Sequence, residues 1–222
     1  MSGLSDLSVG ALPYPGLRPF RSDEADIFFG REEYVDHLLE KLGQNRFLAV
    51  MGPSGCGKSS LMQAGVIPAL QAGFLADAGA EWRIATMRPG NHPMERLAES
   101  LLAEAALGPE RAGTPAAAAV LQATLLRGPL GLVEVLRGTP LPEGANLLLL
   151  VDQFEEIFRF RKQGYSSEAE ADAFVELLPL PLHQRVVGRI LQQSVFENVA
   201  AARRLTLRIQ NFGLNQLLQF GL

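Results

Sequence analysis

One eight-residue stretch limits this chain more than any other: Gly52-Pro53-Ser54-Gly55-Cys56-Gly57-Lys58-Ser59. It satisfies G-x-x-x-x-G-K-[ST] at every fixed position. The pattern has a mechanical reading. Glycines at Gly52, Gly55 and Gly57 let the backbone turn so that successive N–H groups face a phosphate, and the helix that follows adds its positive N-terminal end. Lys58 is placed to reach the β- and γ-phosphates, and the Ser59 hydroxyl to ligate Mg²⁺. Ser60 is the next candidate for an α-phosphate contact. Ser54 and Cys56 occupy interior loop positions that require no particular side chain, so Cys56 reads as a small spacer.

A phosphate loop needs a strand before it and a helix after it, and the flanks supply both. Phe47 to Met51 is a short apolar run, and a helical pattern resumes from Ser59 to about Leu70. Upstream, Tyr34, Val35, Leu38, Leu39 and Leu42 recur at helical spacing, with Gly43 as the stop. Downstream, Arg83 to Met87 reads as a strand closed by an Arg88-Pro89-Gly90 turn. Helices are expected over Met94 to Leu107, Ala116 to Leu126 behind a Thr114 cap, and Leu130 to Leu136. Leu147 to Val151 is wholly aliphatic, as expected of a parallel strand covered on both faces. Ser167 to Leu178 reads as a helix stopped by Pro179 and Pro181, and Leu205, Leu207 and Ile209 alternate as a late strand.

The expected fold is therefore α/β: a P-loop NTPase core with a parallel sheet between helical layers. Residues 1–46 form an extended segment and a first helix, 47–180 the core, and 181–222 a divergent C-terminal segment. On this reading the core is incomplete at its C-terminus, whether 181–222 is native, truncated or frameshifted sequence.

Phosphate binding through magnesium also needs an acid on a neighbouring strand. Asp152 follows the aliphatic run directly, at the carboxyl end where open parallel sheets bind ligands. It serves equally as the cap of a following helix. Glu155 and Glu156 come next and are candidates to orient or deprotonate an attacking water; both also suit the first turn of a helix.

Composition narrows the remaining classes. With 47% hydrophobic and 20% charged residues in 222, the chain has the make-up of a globular protein. A single cysteine allows no internal disulfide, and the N-terminus lacks a basic start followed by an apolar stretch, so the cytoplasm is the default. No run reaches the length of a membrane span. Residues 181–222 hold five arginines and one acid, a spread that suits a solvated face better than a nucleic-acid surface. His37, His92 and His183 are not spaced for metal binding.

Four segments together carry a more specific likeness: Pro15-Gly16-Leu17-Arg18-Pro19-Phe20, then Phe28-Phe29-Gly30-Arg31-Glu32, the phosphate loop, and Val151-Asp152-Gln153-Phe154-Glu155-Glu156-Ile157-Phe158. With them the chain resembles the novel STAND NTPase family, the signal transduction ATPases with numerous domains, over about residues 13–178. The resemblance implies that the stretch around Gly30 and Arg31 borders the adenine, that ATP is preferred to GTP, and that the module is a nucleotide-dependent switch in signalling or defence. It also implies self-association or protein partners, with effector domains and WD-repeat sensors in full-length relatives. Members continue into a strand whose terminal arginine senses the γ-phosphate; Arg208, in Leu205-Thr206-Leu207-Arg208, is the nearest match.

The expectation is thus a slow ATP-dependent switch. Two alternatives stand beside it: an interaction module that holds ATP without turnover, and a guanylate-kinase-like enzyme, whose loop shares Gly52-Pro53-Ser54-Gly55. An ABC-type ATPase shares the loop as well, but the Leu-Ser-Gly-Gly-Gln signature is missing.

Overall fold

The computed structural model describes residues 15–45, 47–75, 81–107, 115–139, 141–163, 168–178, 188–194 and 217–219. The expected late strand around Leu205 to Ile209, Arg208 and the Thr114 cap lie outside these residues.

Among the described residues five strands form one sheet: β1 (Phe47–Met51), β2 (Glu81–Met87), β3 (Ala145–Val151), β4 (Gly188–Ser194) and β5 (Leu217–Gln219). Every pairing between them is parallel, in the order β2-β3-β4-β1-β5. The order corrects one expectation. Asp152, at the end of β3, does not lie on a strand next to β1, because β4 pairs with both and stands between them.

Side chains alternate across the sheet with the period of two that strands impose. Ala49, Ala85, Met87, Leu147, Leu149 and Val151 face one buried cluster, where they meet α4 (Pro93–Leu102), α5 (Pro115–Leu125), α6 (Gly131–Gly138) and α8 (Glu168–Leu177). Leu48, Val50, Ile84, Leu148 and Leu150 face the other, covered by α1 (Glu32–Gln44) and the helix after the phosphate loop. All seven residues of β3 are buried, as the aliphatic run requires. The result is helix, sheet, helix in three layers.

Several boundaries moved for local reasons. The first helix runs past Gly43 to Gln44, where Asn45 caps it by donating both its backbone N–H and its side-chain Nδ2 to the Lys41 carbonyl. The expected helix to Leu107 ends at Leu102. Ala103 turns to extended ψ, and the chain folds back so that the Ala105 carbonyl accepts from Ile84 N–H at 2.7 Å, satisfying an outward-facing donor of edge strand β2. Two further strands, β4 and β5, fall within 181–222, at positions other than the alternating run expected there.

The helix after the loop has three parts: α2 (Lys58–Ser60), a π-helical stretch (Leu61–Val66) and α3 (Ile67–Gln71). Ile67 N–H donates five residues back, to Met62 O. Pro68 has no N–H, and in an α-helix its ring would collide with the Ala64 carbonyl; the wider turn just before it relieves that contact. Gly65, near the end of the π-helical stretch, lets α1 approach: a Cβ there would stand 2.6 Å from Val35 Cγ2. α3 then closes with Gly73 at φ 85°, Gly73 N–H bonding Leu70 O and Phe74 N–H bonding Ala69 O.

Candidate functional site

Beyond the carboxyl ends of the strands lies a cavity of about 590 Å³, within the size range of small-ligand sites. Three groups of residues line it: the phosphate loop and its helix (Ser54, Gly55, Gly57, Lys58, Ser59 and Ser60), the ends of β2 and β3 (Arg88, Asp152, Gln153 and Glu155), and the N-terminal strap from Pro15 to Phe20.

The loop has the backbone that its glycines permit, with Gly55 at φ 78° and Gly57 at φ 86°. These left-handed values are strained for any residue bearing a Cβ. Lys58 is buried, and its Nζ donates to the carbonyls of Gly52 at 2.9 Å and Pro53 at 2.8 Å, with Cys56 Sγ at 3.7 Å. The ammonium therefore sits inside the loop, held by acceptors that a phosphate can replace. Gly52 and Cys56 support the loop without lining the cavity.

Asp152 gathers the site. Its Oδ1 accepts from the Ser59 hydroxyl at 3.1 Å, across 93 positions of sequence, and from the Gln153 N–H at 3.0 Å. Its Oδ2 accepts from Arg88 Nε at 3.2 Å and Nη2 at 3.1 Å. The carboxylate is nearly buried, and the hydrogen bonds with the Arg88 ion pair offset its loss of water. Adjacent strand register explains the pair: Met87 stands opposite Val151, so Arg88 and Asp152 are the next residues of both strands, and Asp152 N–H bonds Met87 O.

A hydroxyl and a carboxylate oxygen in contact are the donor set for a hard cation that takes its remaining ligands from water and phosphate. The residues present thus fit Mg²⁺, with Ser59 and Asp152 to hold it.

The two glutamates part company. Glu155 lines the cavity. Glu156, the first residue of α7 (Glu156–Lys162), accepts from Gly90 N–H at 3.2 Å and from Arg159 at 3.1 Å, which ties the Arg88-Pro89-Gly90 turn to that helix. Between Asp152 and Glu155, Gln153 adopts φ 53°. A left-handed non-glycine residue costs on the order of 1–3 kcal/mol, strain of a kind that collects at ligand sites.

The strap is pinned twice. Phe20 N–H donates to Ser60 Oγ at 3.2 Å, and the Arg18 guanidinium grips both carboxylate oxygens of Glu24. Hydrogen bonding from Arg18, helped by the Arg21 backbone N–H, lowers the Glu24 carboxyl to a pKa of about 2 and raises that of Arg18. Gly30 and Arg31 do not line this cavity. Gly30 N–H bonds Glu32 Oε1, whose carboxyl is lowered by its own backbone N–H and that of Gly30, while Arg31 lies 5.2 Å over the Tyr34 ring at the start of α1.

Sequence reasoning missed Arg88, Gln153 and the strap as cavity walls. For Arg88 the missing signal is strand register: its Pro-Gly neighbours suggest only a turn, and the β2–β3 alignment is what sets it against Asp152.

No helix among the described residues is long and apolar enough to cross a membrane. Comparison with solved structures finds the Aeropyrum pernix ORC2 protein in its ADPNP-ADP complexes, at TM-score 0.54 and 15% identity, covering 87% of this chain and 48% of that one. An E. coli MS115-1 HORMA:CdnC:Trip13 complex chain matches at TM-score 0.45 and 15% identity, with 92% and 67% covered. C. elegans PCH-2 matches at TM-score 0.38 and 15% identity, with 86% and 41% covered. The chain thus spans about half the length of the ORC2 protein, and that likeness establishes the P-loop ATPase fold alone. No curated protein is a significant sequence match. The family model for Novel STAND NTPase 1 matches residues 13–215, reaching well past Leu178, where the likeness read from the sequence fades. With nearly the whole length matched and the phosphate loop built as its motif requires, the chain belongs to the novel STAND NTPase family.

Proposed function

We propose that this NTPase module binds ATP with Mg²⁺ in the cavity and works as a slow, nucleotide-dependent switch in cytoplasmic signalling. The observation that carries the reading is the convergence of Lys58, Ser59 and Asp152 from two distant segments on one cavity, with Ser59 Oγ 3.1 Å from Asp152 Oδ1. The preference for ATP over GTP, and effector or WD-repeat sensor domains as partners, rest on the family resemblance.

Each residue has a task in this reading. Loop N–H groups from Ser54 to Ser59 receive the phosphates, and Lys58 exchanges the carbonyls of Gly52 and Pro53 for phosphate oxygens. Ser59 and Asp152 would hold the magnesium, which when bound would offset negative charge on the phosphate oxygens. Glu155, on the cavity wall, orients the attacking water; Glu156 is committed to the Gly90 turn.

Slow turnover follows from the state of the cations. Phosphoryl transfer depends on charges already aimed at the reacting oxygens. Here Lys58 is engaged by its own loop and must exchange those partners first, while Arg88 is shared with Asp152. We expect turnover well below the typical enzyme value of about 10 s⁻¹. Single-turnover hydrolysis by the purified chain tests this together with the assignment of the glutamates. Glu155→Gln should slow the residual rate at least about tenfold while sparing binding, given the usual weight of general-base catalysis, and Glu156→Gln should not. Equal rates in Glu155→Gln and wild type would remove Glu155 from the chemistry.

A further inference from the structure

We propose that Arg88 is the residue by which this site tells a nucleoside triphosphate from a diphosphate. The inference deepens the nucleotide-binding reading above and rests on it.

Arg88 is held from three sides. Register with β3 sets its backbone beside Asp152. The turn that follows it is anchored by Gly90 N–H on Glu156 Oε2 at 3.2 Å. The guanidinium gives Nε and Nη2 to a single oxygen, Asp152 Oδ2. A guanidinium has five N–H groups, so two such bonds leave Nη1 and the second N–H of Nη2 to spare. Half of the side chain remains exposed, and it lines the same cavity as Lys58 and Ser59.

The two oxygens of Asp152 divide the work. Oδ1 faces Ser59, the side fitted for the cation, while Oδ2 faces Arg88. Arg88 can therefore keep its bond to Asp152 and still present an edge to the cavity when the cation side is filled. A phosphate loop's backbone cradles the α- and β-phosphates. Arg88 lines the same cavity from another strand, so on this proposal its charge serves the phosphate beyond those two, which a diphosphate lacks. Arg88 thus adds a charge-assisted contact for one ligand and none for the other.

Calorimetry on the full chain with Mg²⁺, using ADP and a non-hydrolysable ATP analogue, reads this difference. Wild type should bind the triphosphate about tenfold or more tightly than the diphosphate, the weight of one charge-assisted hydrogen bond. Arg88→Ala should bring the ratio to within about twofold of unity, mostly by weakening the triphosphate. Arg88→Lys keeps a point charge beside Asp152 but cannot span a carboxylate and a phosphate at once, so it too should lose discrimination. The Arg88 Nε NMR signal of the wild-type chain supplies a readout free of any folding defect, and should shift on adding the triphosphate and not the diphosphate.

A ratio preserved in both variants, or an Nε signal indifferent to the third phosphate, would overturn the proposal. Equal weakening of both nucleotides would also overturn it, reducing Arg88 to a support for Asp152. Wild type that binds both equally would defeat this inference and leave the nucleotide site standing. Wild type that binds neither would defeat the nucleotide site itself.

Discussion

Gly65→Ala places one methyl group where two helical segments touch, and its consequence can be worked from the contact. The added Cβ would lie 2.6 Å from Val35 Cγ2, with Phe28 Cε1 at 3.5 Å and Leu61 Cδ1 at 3.7 Å. The last two are ordinary contacts; the first is about 1 Å inside the carbon–carbon optimum. Val35 is β-branched and has little freedom at χ1, so it cannot swing aside, and α1 must move away from the π-helical stretch. Overpacking of this sort costs about 1–3 kcal/mol, while alanine in place of glycine returns up to about 1 kcal/mol of helix propensity. The net expectation is a loss of about 1 kcal/mol, a fall in Tm of roughly 2–4 °C for a chain of this size. Urea unfolding followed by circular dichroism measures it. Val35→Ala removes the obstruction, so the double variant should be more stable than the two single losses add to, by about 2 kcal/mol, the whole overpacking cost. Gly65→Ala as stable as wild type, or a cycle with no coupling energy, would refute the close-approach argument.

Two further perturbations probe the strap and the loop. The Glu24 carboxyl, lowered from 4.5 to about 2, favours the pinned form fully above its unfolded pKa, and the contribution is lost as pH falls through the folded value. The Glu24 carboxyl carbon should therefore titrate near 2 by NMR and move up towards the ordinary carboxylate range in Arg18→Ala, held below it by the Arg21 N–H; a wild-type midpoint near 4.5 would show the pin to be absent in solution. Cys56, half-buried and 3.7 Å from Lys58 Nζ, should react with maleimide more slowly when nucleotide and Mg²⁺ saturate the loop. An unchanged rate would separate the thiol from the site.

The parts of the site legible in the sequence are those whose signal is local. The phosphate loop is readable because Gly55 and Gly57 must take left-handed backbone and Lys58 and Ser59 must follow at fixed spacing. β3 is readable because a strand covered on both faces needs an unbroken aliphatic run, and Asp152 because it ends that run. What stayed hidden depends on pairing between distant segments. β4 lies between β1 and β3, yet it is spelled Gly-Arg-Ile-Leu-Gln-Gln-Ser, and β5 is three residues long; only their hydrogen-bonded neighbours mark them as strands. Insertion of β4 between the two functional strands was invisible for the same reason. β2 and β3 each begin two residues before the expected strands, at Glu81 and Ala145, since pairing runs on past Arg83 and Asn146, which interrupt the apolar pattern. The π-helical stretch follows from Pro68 combined with the close packing of Gly65 on α1, a tertiary condition that helical periodicity does not encode.

The convergence of Lys58, Ser59 and Asp152 is tested most directly by calorimetric titration of ATP into the full chain, with Mg²⁺ and again with EDTA. Wild type should bind more tightly with the metal. Asp152→Asn should lose that advantage, weakening about tenfold or more with Mg²⁺ and hardly at all with EDTA, because the carboxylate acts through the cation. Lys58→Ala should be weak in both, since its contact is made with the phosphate itself. Asp152→Asn weakened equally with and without the metal, or a folded Lys58→Ala chain that binds ATP as wild type does, would contradict the assignment of this cavity as a magnesium–nucleotide site.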